Sequence, residues 1–206
     1  MAVKLGGAGQ DESDPVSRLV RMTFADMFRF NLRDVISNVG GLLIGAVETT
    51  SHCVVNALEY LLEGPDLLAR AQAAARKDDP QGFDGYVFEA LRFRPAFPYY
   101  FRTVKRDTPM AGHVLREGTT VLAVTHSAMF DADGFPDPER FDPDRDFSDT
   151  FTFGQGVHSC LGRHVAQVMV PEIARQVLRL DGLKPVSSPD YRGGRVPEGW
   201  QVRWRG

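Results

Sequence analysis

Cysteine is scarce in this sequence: 206 residues hold two, Cys53 and Cys160. Two cysteines cannot build a disulfide framework and show no CxxC spacing of the zinc-binding kind, which points to a reducing, cytoplasmic setting. An excess of charge is absent too. Twenty-four Lys and Arg against 27 Asp and Glu leave a net charge of −3, which argues against nucleic acid or an anionic membrane surface as the main partner. No repeat or low-complexity tract occurs. The opening residues 1–14, MAVKLGGAGQDESD, lack the apolar core of an export signal and read as a disordered lead-in to one module over residues 15–206. A clean apolar run of membrane-spanning length is also missing. Residues 35–62 come nearest, but Glu48, His52 and Asn56 interrupt them near the middle, and hydrocarbon penalises a charge there by a few kcal/mol. No membrane association is expected.

What remains, with 43% apolar and 25% charged residues, is an ordinary globular composition. The patterning predicts helices over residues 15–30, 33–63, 65–77 and 83–94, the last stopped by Pro95 because the residue before proline avoids the helical region. The second would be roughly 45 Å long. Its first half is apolar on nearly all sides (Leu42, Leu43, Ile44, Val47) and so requires neighbours all round. Short strands and hairpins follow in PYYFRTV, HVLREGT and TVLAVTH. Residues 131–147, punctuated by Gly134, Pro136, Pro138 and Pro143, read as an ordered irregular loop. A last helix runs to about residue 180, and the tail ends in a strand, WQVRW. The fold class expected is mainly α with small β-sheets (α+β).

Cys160 sits in FTFGQGVHSCLGRHVAQ. Most free cysteines are small buried hydrophobes, but the setting here is unusual. Gly154 and Gly156 permit positive φ and a tight turn, and Gly162 strips a side chain from the first turn of the next helix. Backbone amides opening that helix favour a thiolate. A thiolate with glycine on both flanks suits the approach of a flat object, such as haem, whose iron it would ligate. His158 and Arg163 are cationic candidates beside it, although a loop histidine is ordinarily just solvated.

FGQGVHSCLG resembles the cysteine-ligand loop of the cytochrome P450 family, with Phe153, Gly154, Gly156, His158, Cys160 and Gly162 at matching positions. The resemblance implies haem b held by Cys160, with His158 toward a propionate. Other stretches agree in order. EALR places Glu89 and Arg92 at i, i+3, an ordinary surface ion pair if alone, but the resemblance makes it one side of a buried structural triad completed by Arg140 of PERF. YYFRTV is similar to the family's strand whose arginine meets a propionate; this falls on Arg102, with Arg106 as the alternative. GAVETTSH resembles the acid–alcohol signature, with Gly45 at a widened helical turn, Glu48 as the acid and Thr49 as the alcohol managing protons. Two departures stand out. Ala46 replaces a frequent glycine, and Ser127 and Ala128 replace a charged pair in THSAMFDADGF, which suggests an outlying subfamily.

The resemblance covers only the C-terminal, haem-binding half of the family's fold. It implies a monooxygenase, or its catalytic half, acting on a small organic substrate with O2 and electrons from a ferredoxin or flavoprotein reductase. An N-terminal segment or second chain would complete the fold. Substrate-contacting candidates are residues 44–48, 97–99 and 196–199. Two other classes compete: a hydroperoxide isomerase or peroxygenase of fatty-acid type, and a non-catalytic haem-binding module of a larger protein.

Overall fold

The computed structural model describes Ser17 and residues 31–77, 79–194 and 197–205. The lead-in over residues 1–14 and, apart from Ser17, the helix expected over 15–30 lie outside the described residues. The chain divides into two compact units, residues 1–49 and 50–206.

The boundary falls within the long helix α1, Leu32–Leu61. Its start is set by a reciprocal cap: the Asn31 amide donates to Asp34 Oδ2 at 3.0 Å, and the Asp34 amide donates to Asn31 Oδ1 at 3.1 Å. Two of the helix's orphan N–H groups are thereby satisfied. In the first unit the apolar face of α1 is largely uncovered. Leu42, Leu43, Ile44 and Val47 are 47%, 61%, 68% and 65% exposed.

In the second unit the same helix changes character, burying Val54, Ala57, Leu58 and Leu61. These residues pack in one core with α2 (Pro65–Arg76), α3 (Pro80–Phe93) and α5 (Arg163–Leu178), through Ala71, Ala75, Phe83, Val87, Leu91, Val170, Ala174 and Leu178. Helix α3 starts where Asp79 Oδ1 accepts from the Gly82 amide at 3.2 Å and stops before Pro95. On its buried face Gly85 meets the irregular loop so closely that a Cβ there would lie 1.9 Å from the Pro143 carbonyl oxygen. Only glycine fits.

Among the described residues, three two-stranded antiparallel sheets flank this core. Strand β1 (Tyr100–Thr103) pairs with β4 (Thr120–Ala123), setting Arg102 opposite Val121. Strands β2 (Thr108–Met110) and β3 (His113–Leu115) form a hairpin turning at Ala111 and Gly112, both at positive φ. In the tail β5 (Lys184–Pro185) pairs with β6 (Val202–Arg203). Three details differ from the sequence reading. Strand β2 was not expected, because Pro109 sits in it; on a two-stranded edge proline is tolerated. The strand expected over 120–126 ends at Ala123 and gives way to the short helix α4, Thr125–Ala128. WQVRW contributes two paired residues, not five. Among the described residues no helix is long and apolar enough to cross a membrane.

Candidate functional site

The site rests on a buried charge network between α3 and the irregular loop. Glu89 and Arg92, one turn apart, are both fully buried. Their contact is forked: Arg92 Nε donates to Glu89 Oε2 and Nη2 to Oε1, each at 2.8 Å. The remaining donors of Arg92 reach the carbonyls of Met129 (2.9 Å) and Pro138 (2.7 Å), and its guanidinium lies between the rings of Phe93 and Phe130. The second guanidinium on Glu89 does not come from Arg140. It comes from Arg145, whose Nε donates to Glu89 Oε1 at 3.3 Å and whose other nitrogens bind the carbonyls of Pro136 and Asp137. The Arg140 side chain is 68% exposed and reaches only Asp142, at 3.7 Å. The irregular loop accounts for this correction. Its backbone turns so that the Arg140 carbonyl, not the side chain, faces Arg92 and Arg145, at 3.5 and 3.4 Å.

The cysteine loop follows. The Cys160 amide donates to the Phe153 carbonyl at 2.8 Å, closing the loop on itself. Gly154 and Gly156 both adopt positive φ, at +68° and +63°, and a Cβ on Gly154 would press to 3.0 Å from the His158 carbonyl. The Phe153 ring meets Phe88 edge-on at 6.2 Å, and Phe88 precedes Glu89 on α3. The loop is thus anchored to the helix that carries the charge network. Gly156–His158 form a single 3-10 turn, and α5 opens after Gly162 with the Ala166 amide on the Gly162 carbonyl. Cys160 is exposed, as are His158 and Gly162.

Strand β1 brings further residues to this region. Arg102 lies over the Tyr100 ring at 5.3 Å, whereas Arg106 lies beyond the strand in the turn before β2. Burial raises the Tyr100 phenol above its ordinary value; Arg102 opposes the rise, and the sulfurs of Cys160 and Cys53 add to it. Burial, with Cys160 nearby, also pushes the Cys53 thiol up to about 11. Tyr100, Cys53 and Cys160 therefore share one electrostatic neighbourhood in the second unit. Both cysteines are free thiols.

In the first unit Glu48 is exposed and Thr49 half-buried. The Thr49 hydroxyl donates to the Gly45 carbonyl one turn back. The helix runs unbroken through Gly45, so the widening expected there is not seen; a Cβ on Gly45 would meet nothing within 4 Å.

Comparison with known proteins bears on this arrangement. The family model for Cytochrome P450 matches residues 83–185, half of the chain, from α3 through the cysteine loop and α5. This chain belongs to the cytochrome P450 family. The monooxygenase PikC of Streptomyces venezuelae is 34% identical over 171 residues, covering 82% of this chain and 40% of PikC. CYP199A2 of Rhodopseudomonas palustris is 34% identical over 152 residues, covering 72% of this chain and 36% of that protein. Among solved structures, the P450 heme domain of Tepidiphilus thermophilus superposes with a TM-score of 0.79 at 26% identity, over 92% of this chain and 46% of that one. Cytochrome P450 CREJ does so with a TM-score of 0.82 at 26% identity, over 98% and 50%. The chain spans about two-fifths of the length of the curated relatives. The fold is that of the P450 haem-binding half, helix-rich with small sheets.

The P450 family implies haem, and the residues present fit it. One sulfur stands exposed, and a Cβ on Gly162 would come 3.9 Å from it. Val157 and Leu161 are 97% and 88% exposed to either side. Such a bare apolar rim around a single soft donor would suit a flat macrocycle held through sulfur. Sequence reasoning missed three residues of this P450 half: Arg145, Phe88 and Gly85. A signal for Arg145 did exist, since RFDPDR holds two arginines five positions apart and spacing alone does not choose between them.

Proposed function

We propose that this chain is the catalytic half of a haem-thiolate monooxygenase. The observation that carries the reading is Cys160, exposed on a glycine-flanked loop that is fixed through Phe153 and Phe88 to the buried Glu89–Arg92–Arg145 network. When bound, haem b would supply the iron at which O2 is activated, with Cys160 as its sulfur ligand. Cys160 would hold it through sulfur, Arg102 would neutralise a propionate, and exposed His158 would be a second cation for one. Phe153, with Gly154, Gly156 and Gly162, keeps the approach to the sulfur open. Glu48, exposed on α1, gathers protons from solvent. Thr49, its own proton engaged by the Gly45 carbonyl, presents hydroxyl lone pairs that orient a water for proton delivery.

A small organic substrate and an electron donor of the ferredoxin or flavoprotein type complete this reading. The exposed apolar face of α1, from Leu42 to Val47, supports a further N-terminal segment or second chain lying over it. The test is spectroscopic. The haem-loaded, reduced chain is expected to give a carbonyl complex with the far red-shifted Soret band of thiolate ligation, and Cys160→Ala is expected to lose it. An unchanged spectrum in that variant refutes the assignment.

A further inference from the structure

Strand β1 carries a cation and a phenol that the fold leaves unanswered. Arg102 is exposed, and its Nη1 donates to the Phe101 carbonyl at 2.8 Å. Among the described residues no carboxylate pairs with it. An unpaired arginine on a surface strand is ordinary, but what lies beneath this one is not. Side chains two apart on a strand share a face, and the Tyr100 ring sits under the guanidinium, its centre 5.3 Å from Cζ.

Tyr100 is half-buried, with its ring stacked on Phe97 at 6.3 Å. Its hydroxyl has no hydrogen-bond partner among the described residues. Covered tyrosines usually find one. Unlike Thr152 Oγ1, which is also unpartnered but sealed in the interior, the Tyr100 oxygen is not walled off. Burial raises the phenol above its ordinary value, the Arg102 charge opposes the rise, and the Cys160 sulfur adds to it. The group therefore keeps its proton at neutral pH, as a donor within electrostatic reach of the sulfur assigned to the iron. A guanidinium and a phenol on one strand face, with no anion answering either, suit a carboxylate, whose two oxygens can take one donor each.

We propose that the Tyr100 hydroxyl is a second donor to the haem propionate that Arg102 would neutralise, so that one carboxylate is held by a phenol and a guanidinium from the same strand face. This rests on the haem-thiolate reading above. Since nothing in the fold uses the hydroxyl, Tyr100→Phe removes it alone and leaves the ring under Arg102.

The test uses the haem-loaded 206-residue chain and follows the release of haem to an excess of a haem-scavenging globin. Tyr100→Phe is expected to release haem about tenfold faster, as the loss of one hydrogen bond to a charged acceptor implies. Both proteins are then loaded with an iron porphyrin that carries alkyl groups in place of the propionates, and are expected to release it at equal rates. The haem-free variant is expected to keep the melting temperature of the unaltered chain. Equal release of haem itself overturns the assignment. So does a difference that persists without propionates, or a lowered melting temperature, which would give the hydroxyl to the fold. The red-shifted Soret band of the reduced carbonyl complex separates the two readings. With the band present in both proteins, equal haem release removes Tyr100 alone; with the band absent from the unaltered chain, the haem-thiolate reading fails and the role of Tyr100 with it.

Discussion

Exchanging Arg145 and Arg140 for alanine, one at a time, separates the network seen in the structure from the one suggested by sequence. Arg145 has a side chain 9% exposed and holds Glu89, itself fully buried. It also serves the carbonyls of Pro136 and Asp137, at 2.8 and 3.2 Å. Alanine at 145 leaves Glu89 with Arg92 and the Asp142 amide, so the carboxylate is not stranded, but the carbonyls of Pro136, Asp137 and Arg140 and one charged contact each lose a donor. Charged hydrogen bonds contribute roughly 1.5–3 kcal/mol each, and their effects overlap. A net loss of about 3 kcal/mol follows, toward the lower bound for breaking a buried pair. In a chain of this size that lowers Tm by roughly 6–12 °C. Arg140→Ala removes a side chain 68% exposed whose ion pair spans 3.7 Å, a loss of at most about 0.5 kcal/mol, and keeps the backbone carbonyl that the network uses. Urea denaturation of the two variants side by side is the assay. Equal losses, or a greater loss for Arg140→Ala, would refute the assignment of Arg145.

Gly85→Ala is expected to cost about 2–3 kcal/mol in the same assay, because a Cβ 1.9 Å from the Pro143 carbonyl oxygen forces α3 and the irregular loop apart; an unchanged midpoint would mean that the contact is not close in solution. Cys53, with its thiol pushed up to about 11 from 9.0, has a folded value above its unfolded one. Its burial therefore contributes in full below pH 9 and is lost as pH rises through 11, by at most about 2–3 kcal/mol. The alkaline stability profile of Cys53→Ala should be flatter across that window, and a profile of equal slope would rule this contribution out. Thr49→Ala is expected to keep haem while reducing equivalents escape as hydrogen peroxide or water in place of product. Equal loss of haem in that variant would make Thr49 structural.

Reading from sequence worked where the determinants are local. The C-terminal end of α3 follows from Pro95, although its start, expected at 83, lies at Pro80 behind an Asp79 cap, and the cysteine loop follows from glycines that adopt the positive φ expected of them. It failed where geometry depends on how an irregular chain folds back. Residues 131–147 have no periodicity, so nothing local states which of Arg140 and Arg145 points inward. Choosing between them requires the carbonyls of Met129, Pro136 and Pro138, which are invisible as sequence. Gly85 was silent for a related reason, since its partner is a backbone carbonyl 58 positions away in the numbering, on Pro143. The long helix was legible in extent but not in division. Its apolar first half and its buried second half look alike in hydropathy, yet Val54, Ala57, Leu58 and Leu61 are buried while Leu43, Ile44 and Val47 are not.

That division bears on which parts of the site stand alone. Among the described residues, the contacts that fix the position of Cys160 lie within residues 50–206: Phe153 on Phe88, the self-closing Cys160–Phe153 backbone bond, and α3 held by Glu89, Arg92 and Arg145. These contacts are buried or backbone-mediated, so they persist whatever covers the exposed residues. Val157, Leu161, Val165 and Val168 form the opposite set: 97%, 88%, 60% and 68% exposed, they contribute nothing to holding the loop. If burial of the loop's own apolar side chains were the device that positions the sulfur, Val157 and Leu161 would be covered. The loop is secured by its own backbone bond and by the Phe153–Phe88 ring contact to α3, the helix that a carboxylate and two guanidinium groups fix in the interior. A forked charge contact has one low-energy geometry, whereas apolar packing tolerates sliding. A helix fixed in this way gives the Phe153 ring, and through it the cysteine loop, a constant seat.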